Sequence, residues 1–343
     1  MRAVVFYEHG PVENLKLVED LPIPAPGPGE VRLRVEAAAL NRLDLFVREG
    51  WPGLTLEMPH IGGADVAGVV DALGEGVSGW VVGDRVAVDP SLTCGQCAAC
   101  VAGQHQLCDS FSILGEHSPG AFAEYVVVPA RNLMRLPDDV PFESAAAAGL
   151  VYLTAWHSLI TRGGLRAGET VLIVGAGGGV NSASIQIARL AGARVVVVGS
   201  SVEKLAQAEA LGADVLIDRS REDWSKAVFK LTNRRGVDVV VDNVGQATLF
   251  GSIRAVRKGG RILIVGATTG PKFDLDIRYL FAKQISLIGS TMAPHQDFVQ
   301  VMSLVFEGRL QPVIGAIMPL TDVPEGHRML EQGEVFGKIV FTP

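Results

Sequence analysis

The only four cysteines of the chain fall in one short stretch, CGQCAACVAGQHQLC, as Cys94, Cys97, Cys100 and Cys108, with gaps of two, two and seven residues. Thiolates this close together, in a chain with no other cysteine and no export signal, suit a closed tetrahedral zinc site. The compartment disfavours disulfides, and a gap of seven with no Pro after the last cysteine departs from the bacterial ferredoxin spacing. Four ligands leave no open coordination position. The expected zinc is therefore structural, and its binding free energy fixes a loop of low hydrophobicity.

A second constellation follows downstream. The run TVLIVGAGGGVNSASIQIARLAG sets Gly175, Gly177, Gly178 and Gly179, then Val180, between a strand and a helix. Glycines let backbone approach a pyrophosphate, and the helix that follows offers free N–H groups and a positive dipole end. This context makes dinucleotide binding the expectation. The third glycine of the fingerprint is missing from its register. Asn181 is read in its place, as a residue that tolerates left-handed backbone. The next strand, VVVV, ends in Gly199, Ser200 and Ser201, where a carboxylate would select NAD. A carboxylate about 5 Å from a 2′-phosphate would cost about 3 kcal/mol per unit charge at an effective dielectric near 20. Its absence predicts NADP(H) over NAD(H), with Ser200, Ser201, Lys204 and Arg219 on the phosphate; the alternative for Lys204 is a solvated helix face. Thr154, Asn243 and Gly266 complete the expected cofactor contacts.

These sites need elements to hold them. The chain has 343 residues, 48% hydrophobic and 20% charged, with a net charge of -7. That is a globular composition long enough for two domains, and an acidic balance argues against nucleic acid as partner. The basic groups around Arg234 and Arg235, and around Arg254, Arg257 and Lys258, are read as solvated surface. The longest apolar stretch, 145–156, is interrupted by Gly149 and falls short of the roughly 18 residues of a membrane span. With no apolar leader in MRAVVFYEHG, a cytoplasmic protein is expected. To about Pro137, short alternating runs such as RAVVFY, EVRLRVEAAAL and AEYVVV read as strands. From FESAAAAGLVYLTAWHSLI onward, helices alternate with apolar strands, TLFGSIRAVRKG among the helices, which means a parallel, doubly wound sheet. From 293 the pattern returns to a helix and short strands ending FGKIVFTP.

The cysteine gaps, the GAGGGVN loop, the β-rich N-terminal segment and FGKIVF together resemble the medium-chain dehydrogenase/reductase superfamily nearly end to end. The resemblance implies an α/β fold: a GroES-like barrel over 1–140 and 293–343, carrying the zinc loop 94–108, and a Rossmann domain over 141–292, with substrate meeting nicotinamide between them. It also implies a homodimer or homotetramer, joined through the edge strand ISLIGST. In the zinc alcohol dehydrogenases of this superfamily a second, catalytic zinc is held by three ligands. Their positions here carry Asn41, Ala64 and Leu150, and the proton-relay positions carry Leu43 and Phe46. NRLDLFVREG and GADVAGVV instead look like the zinc-independent quinone and enone reductases.

Without a Lewis acid, hydride addition to a quinone or an α,β-unsaturated carbonyl is easier than reduction of a simple ketone. The catalytic candidates are Asn41, as an amide donor to substrate or ribose or else a turn residue capping the next helix; Asp44, acting alongside it or as a structural acceptor; and Tyr152, as proton donor or core residue. His117 is a general-acid candidate or a surface residue, and Trp51 a roof over substrate or a loop anchor. The expectation is an NADPH-dependent reductase of a small carbonyl or quinone substrate. Two alternatives remain: an alcohol dehydrogenase or carbonyl reductase whose metal is recruited by Asp44, Asp65 or His60, and a non-catalytic NADPH-binding protein.

Overall fold

The computed structural model describes all residues, Met1–Pro343. They form two compact units, Met1–Leu153 with Ala293–Pro343, and Thr154–Met292.

In the first unit the strand Glu30–Ala39 is the organiser. Its residues alternate between buried and partly exposed, as a half-buried strand requires. It pairs antiparallel with Asp65–Leu73, Tyr125–Pro129 and Lys338–Thr342, the last strand of the chain. The sheet runs Leu133–Arg135, Arg85–Val88, Asp65–Leu73, Glu30–Ala39, Lys338–Thr342, Ile314–Pro319. Val31, Leu33, Val35, Val66, Val70, Val86, Phe122 and Phe341 fill its interior.

The second unit is a six-stranded parallel sheet in the order Val215–Asp218, Arg194–Gly199, Thr170–Val174, Val237–Asp242, Val256–Ile264, Ser286–Gly289. This is the doubly wound order, in which the chain reverses direction across the sheet beside Thr170–Val174 and leaves a crevice at the strand ends. Val195–Val198 and Val237–Asp242 are buried throughout, which is why they read as continuous apolar runs rather than alternating ones.

Two expected boundaries move. The division between units falls inside the helix Phe142–Trp156, not at 140/141. The helix belongs largely to the first unit because Ala145–Ala148 are buried, Gly149 lies against the Asp65 carboxylate with no room for a Cβ, and the Tyr152 hydroxyl donates to the Gln311 carbonyl at 2.9 Å. It continues as a π-helical turn, His157–Arg162. The helix expected over TLFGSIRAVRKG stops at Ala255, and Val256 starts a strand. There the Arg257 guanidinium donates to Asp238 at 2.5 Å and holds VRKGG against the neighbouring strand. No helix is long and apolar enough to cross a membrane.

Candidate functional site

Sheet register brings three distant segments of the first unit to one point. Ala39 pairs with Asp65, and the Leu40 N–H donates to the Ile339 carbonyl at 2.9 Å, so Asn41, Asp65 and Lys338 become neighbours. The Lys338 ammonium donates to Asn41 Oδ1 at 2.6 Å and to Asp65 Oδ2 at 2.9 Å. Asn41 Nδ2 donates to the same Asp65 oxygen at 2.9 Å, and the Leu150 N–H donates to Asp65 Oδ1 at 2.6 Å. Asp65 is fully buried, and Lys338 is 4% exposed. A charge pair so far from water persists only because each charge meets the other and further hydrogen bonds fill the remaining positions.

Asp44 stands beside this network. Its carboxylate accepts the Asn41 N–H at 2.7 Å and the Gly63 N–H at 2.9 Å. Burial pushes its carboxyl up to about 7, against the pull of those two N–H donors and of Lys338. Asp44 thus ties the start of the helix Arg42–Glu49 to the strand entry at Gly63.

This geometry bears on the alternatives that the sequence left open. Asn41 is the N-cap of the helix Arg42–Glu49, in a capping box with Asp44, as the turn reading has it, and Lys338 and Asp65 use the oxygen and the amide of its side chain. Tyr152 is 1% exposed with its hydroxyl on the Gln311 carbonyl, which fits the core reading. Asp44 is 3% exposed and acts as the structural acceptor. Nor do the residues fit a catalytic metal. Asn41 already accepts the ammonium, Ala64 has no donor, and Leu150 offers only an N–H that Asp65 has taken. Of the substitute ligands, Asp65 is paired, Asp44 holds two amides, and His60 is buried with its Nε2 on the Gly115 carbonyl at 3.0 Å. The three do not form a cluster of donors; the one group of His, Cys, Asp or Glu side chains placed to share a metal is the four cysteines. Trp51 is 38% exposed. His117 is exposed and lies 3.3 Å from the Glu116 carboxylate.

The four cysteine sulfurs lie within 4.8 Å of one another. Cys94 is 3.5 Å from Cys108 and 4.0 Å from Cys100. Zinc–sulfur bonds of about 2.3 Å in a tetrahedron place sulfurs roughly 3.8 Å apart, so the cluster fits one zinc. Backbone N–H groups point at the sulfurs: Cys97 donates to Cys94, and Ser110 to Cys108, each at 3.4 Å. Such donors, Gln96 first, hold the Cys94 thiol below its ordinary range and favour the thiolate that a metal needs.

In the second unit the glycine turn leaves the strand Thr170–Val174 through Gly175, at φ +108°, and enters the helix Gly179–Leu190 with Gly178 as N-cap. Gly178 is exposed and a Cβ there would meet nothing within 4 Å, while the first N–H groups of the helix have no partner within it. Asn181 is inside the helix, so its backbone is right-handed. Its side chain is what matters, donating to the Val174 carbonyl at 3.4 Å and accepting from Asn243 at 3.0 Å, which ties two strand ends together under the turn. Gly266 packs on the Asn243 carbonyl, and Thr154 is buried near Met292. The Lys204 side chain crosses the loop, its ammonium 3.4 Å from where a Gly177 Cβ would stand. The Arg219 guanidinium reaches Ser200 Oγ at 3.4 Å. Ser201 caps the helix Val202–Ala210 and donates to Glu203 at 2.5 Å. Gly199 is held by packing, since a Cβ there would meet Ala176 and Leu205 at 2.9 Å. Any acidic ribose reader would therefore have to stand at 200.

A parallel sheet with a glycine turn at its switch point, and a β unit bearing a four-cysteine cluster, define a zinc-binding, dinucleotide-dependent dehydrogenase fold. Residues 27–138 match the alcohol dehydrogenase GroES-like domain family, and residues 179–307 the zinc-binding dehydrogenase family. The chain is 30% identical over 344 residues to an acryloyl-coenzyme A reductase of Sulfurisphaera tokodaii, covering 100% of both chains. It is 29% identical to a human quinone oxidoreductase, over 99% of this chain and 97% of that one. A crystal structure of an NAD-dependent alcohol dehydrogenase superposes with a TM-score of 0.96 at 47% identity, over 100% of both. The chain belongs to the medium-chain dehydrogenase/reductase superfamily and is an NAD(P)H-dependent oxidoreductase.

Sequence inspection missed Lys338. Its one signal was a lone charge in the otherwise apolar GKIVF. Replacing it alone, as Lys338→Met, strands the Asp65 charge and is expected to cost about 3 to 5 kcal/mol of stability in urea unfolding. Lys338→Met with Asp65→Leu, which removes both charges, should cost less than Lys338→Met alone. A loss below about 1 kcal/mol in the single variant would mean that the pair does not organise this region.

Proposed function

We propose that the protein is an NADPH-dependent reductase of quinones or α,β-unsaturated carbonyls that works without a catalytic metal. The observation that carries this reading is the Lys338 ammonium, which takes up Asn41 and Asp65 where a catalytic ion would need free donors. The names of an acryloyl-coenzyme A reductase and a quinone oxidoreductase among the relatives support it, since both describe electron-poor acceptors. A nicotinamide dinucleotide held at the glycine turn would supply a hydride for the electron-poor carbon of the acceptor. Charge then gathers on the conjugated oxygen, and a proton must follow. His117, exposed and paired with Glu116, is the proposed source of that proton. Oxidation of NADPH by a simple quinone or enone, with one zinc per chain by elemental analysis, is the expected result. Two zincs per chain, with turnover of alcohols alone, would replace this reading with that of a zinc alcohol dehydrogenase.

The cofactor proposed is NADP(H). Lys204 lies across the glycine loop and Arg219 reaches Ser200, so two positive charges stand where strands finish. Lys204→Ala should weaken NADPH by about 1 to 3 kcal/mol while leaving NADH nearly unchanged. Ser200→Asp should invert the preference, as read by fluorescence titration of both cofactors. Wild-type binding of NADH as tight as that of NADPH would refute the assignment.

A homodimer through the edge strand Ser286–Gly289 is also proposed. That strand has one unpaired side, and Ile277 and Phe281 nearby are 66% and 68% exposed. Light scattering at micromolar concentration should give twice the chain mass; the mass of one chain would refute it.

A further inference from the structure

The sheet of the second unit has two ends, and the glycine loop uses only the one where strands finish. At the other end, the helices Trp224–Leu231, Leu249–Ala255 and Arg278–Lys283 each finish and lead back into a strand. A cavity of about 770 Å³ opens among these helix ends. Five of the chain's 30 Lys and Arg residues line it: Lys226, Lys230, Arg234, Arg254 and Lys283. No carboxylate does, although the chain as a whole is acidic. Phe229 and Tyr279 add aromatic surface.

The plain alternative is that these cations only answer the helix dipoles, since Lys230, Arg254 and Lys283 sit in last turns. Magnitudes decide against it. Three helix carboxyl ends carry about -0.5 charge each, roughly -1.5 in sum. Asp223 adds one more negative charge, 3.6 Å from Arg254 and 3.7 Å from Lys226. About half of the five positive charges is left unanswered. Lys283 is fully committed, donating to the carbonyls of Ile253, Arg254 and Val256 at 2.9, 3.0 and 2.9 Å, so it forms a fixed charged floor. Burial pulls its ammonium below the ordinary lysine value, a cost that a bound anion would relieve. Lys230 and Arg234 stand at the rim. Asn233 and Arg234 both hold left-handed backbone, φ +49° and +67°, an arrangement non-glycine residues adopt at a cost.

We propose that this cavity is a second anion site, distinct from the glycine loop, which takes a phosphate-bearing ligand of nucleotide size. The charge calls for a polyanion, since guanidinium and ammonium groups recognise phosphate through charge-assisted bonds. The volume lies in the range of small-molecule sites, and the Tyr279 ring, set edge-on against Phe250, offers aromatic surface to a planar base. The inference is independent of the reductase reading. Arg234 and Arg254, expected at the solvated surface, line this cavity.

The test uses the full zinc-loaded chain, first loaded with one NADPH per chain so that the glycine loop is filled. Calorimetric titration with inorganic pyrophosphate, and separately with ADP, should show saturable binding of one anion per chain, with ADP the tighter. Lys230→Glu with Arg234→Glu should weaken both at least about tenfold and leave the NADPH affinity unchanged. Lys230→Gln with Arg234→Gln should fall between, with an unaltered melting temperature as the check on folding. The proposal is overturned if the wild-type chain binds neither anion at low salt, or if binding ignores Lys230 and Arg234. Pyrophosphate binding no weaker than ADP binding would remove the nucleotide part. Absence of anion binding in a dimer that charge reversal splits would show that the cavity is a subunit contact.

Discussion

The first unit depends on a single buried ion pair. Lys338 and Asp65 come from the last strand and from an early one, and Asn41 between them closes the set. Two charges this deep are poor stabilisers against an apolar alternative, yet each is indispensable once the other is present. The consequence is geometric. The ammonium fixes the corner where Glu30–Ala39 gives way to a helix. The Asp65 carboxylate reaches across to the Leu150 amide and fixes the helix Phe142–Trp156. Gly149 has to be glycine because that carboxylate lies against it. The same bonds occupy both polar ends of the Asn41 side chain and one oxygen of Asp65, and the proposed metal-free chemistry rests on that occupation.

The second unit rests on a different device. Its valine-rich strands are buried on both faces and carry no functional groups, so all chemistry falls to the strand ends. There Asn181, one residue, holds the turn by joining the Val174 carbonyl to Asn243. A third glycine would have permitted closer packing; the amide side chain instead uses the space to satisfy polar groups that the turn exposes. Lys204, lying over the glycines, brings positive charge to a loop whose helix end is already electropositive.

Charge is distributed against the net balance. A chain of formal charge -7 keeps cations at both ends of one sheet, at Lys204 and Arg219 where strands finish and at Lys230, Arg234 and Lys283 where helices finish. Other basic groups that look equivalent in sequence are spent internally. Arg235 and Arg257 both donate to the buried Asp238, at 2.7 and 2.5 Å.

The sequence alone determined the features that are local. Cysteine gaps fix a four-sulfur cluster because the ligands lie within one loop. A glycine run between an apolar strand and a helix fixes a dinucleotide turn because strand, turn and helix are contiguous. Alternation of helices with apolar strands fixes a parallel sheet. Tertiary structure decided what depends on register between distant segments. Asn41, Asp65 and Lys338 are remote in sequence and meet only through strand pairing, so no spacing rule could reveal that Lys338 claims the Asn41 side chain. Tyr152 reads from sequence equally as donor or core residue, and only tertiary structure sets the Gln311 carbonyl against its hydroxyl. Gly199 looked like a deleted carboxylate, but Ala176 and Leu205 leave it no room. Arg234 and Arg257, nearly identical as letters, part company because one faces a cavity and the other a buried aspartate.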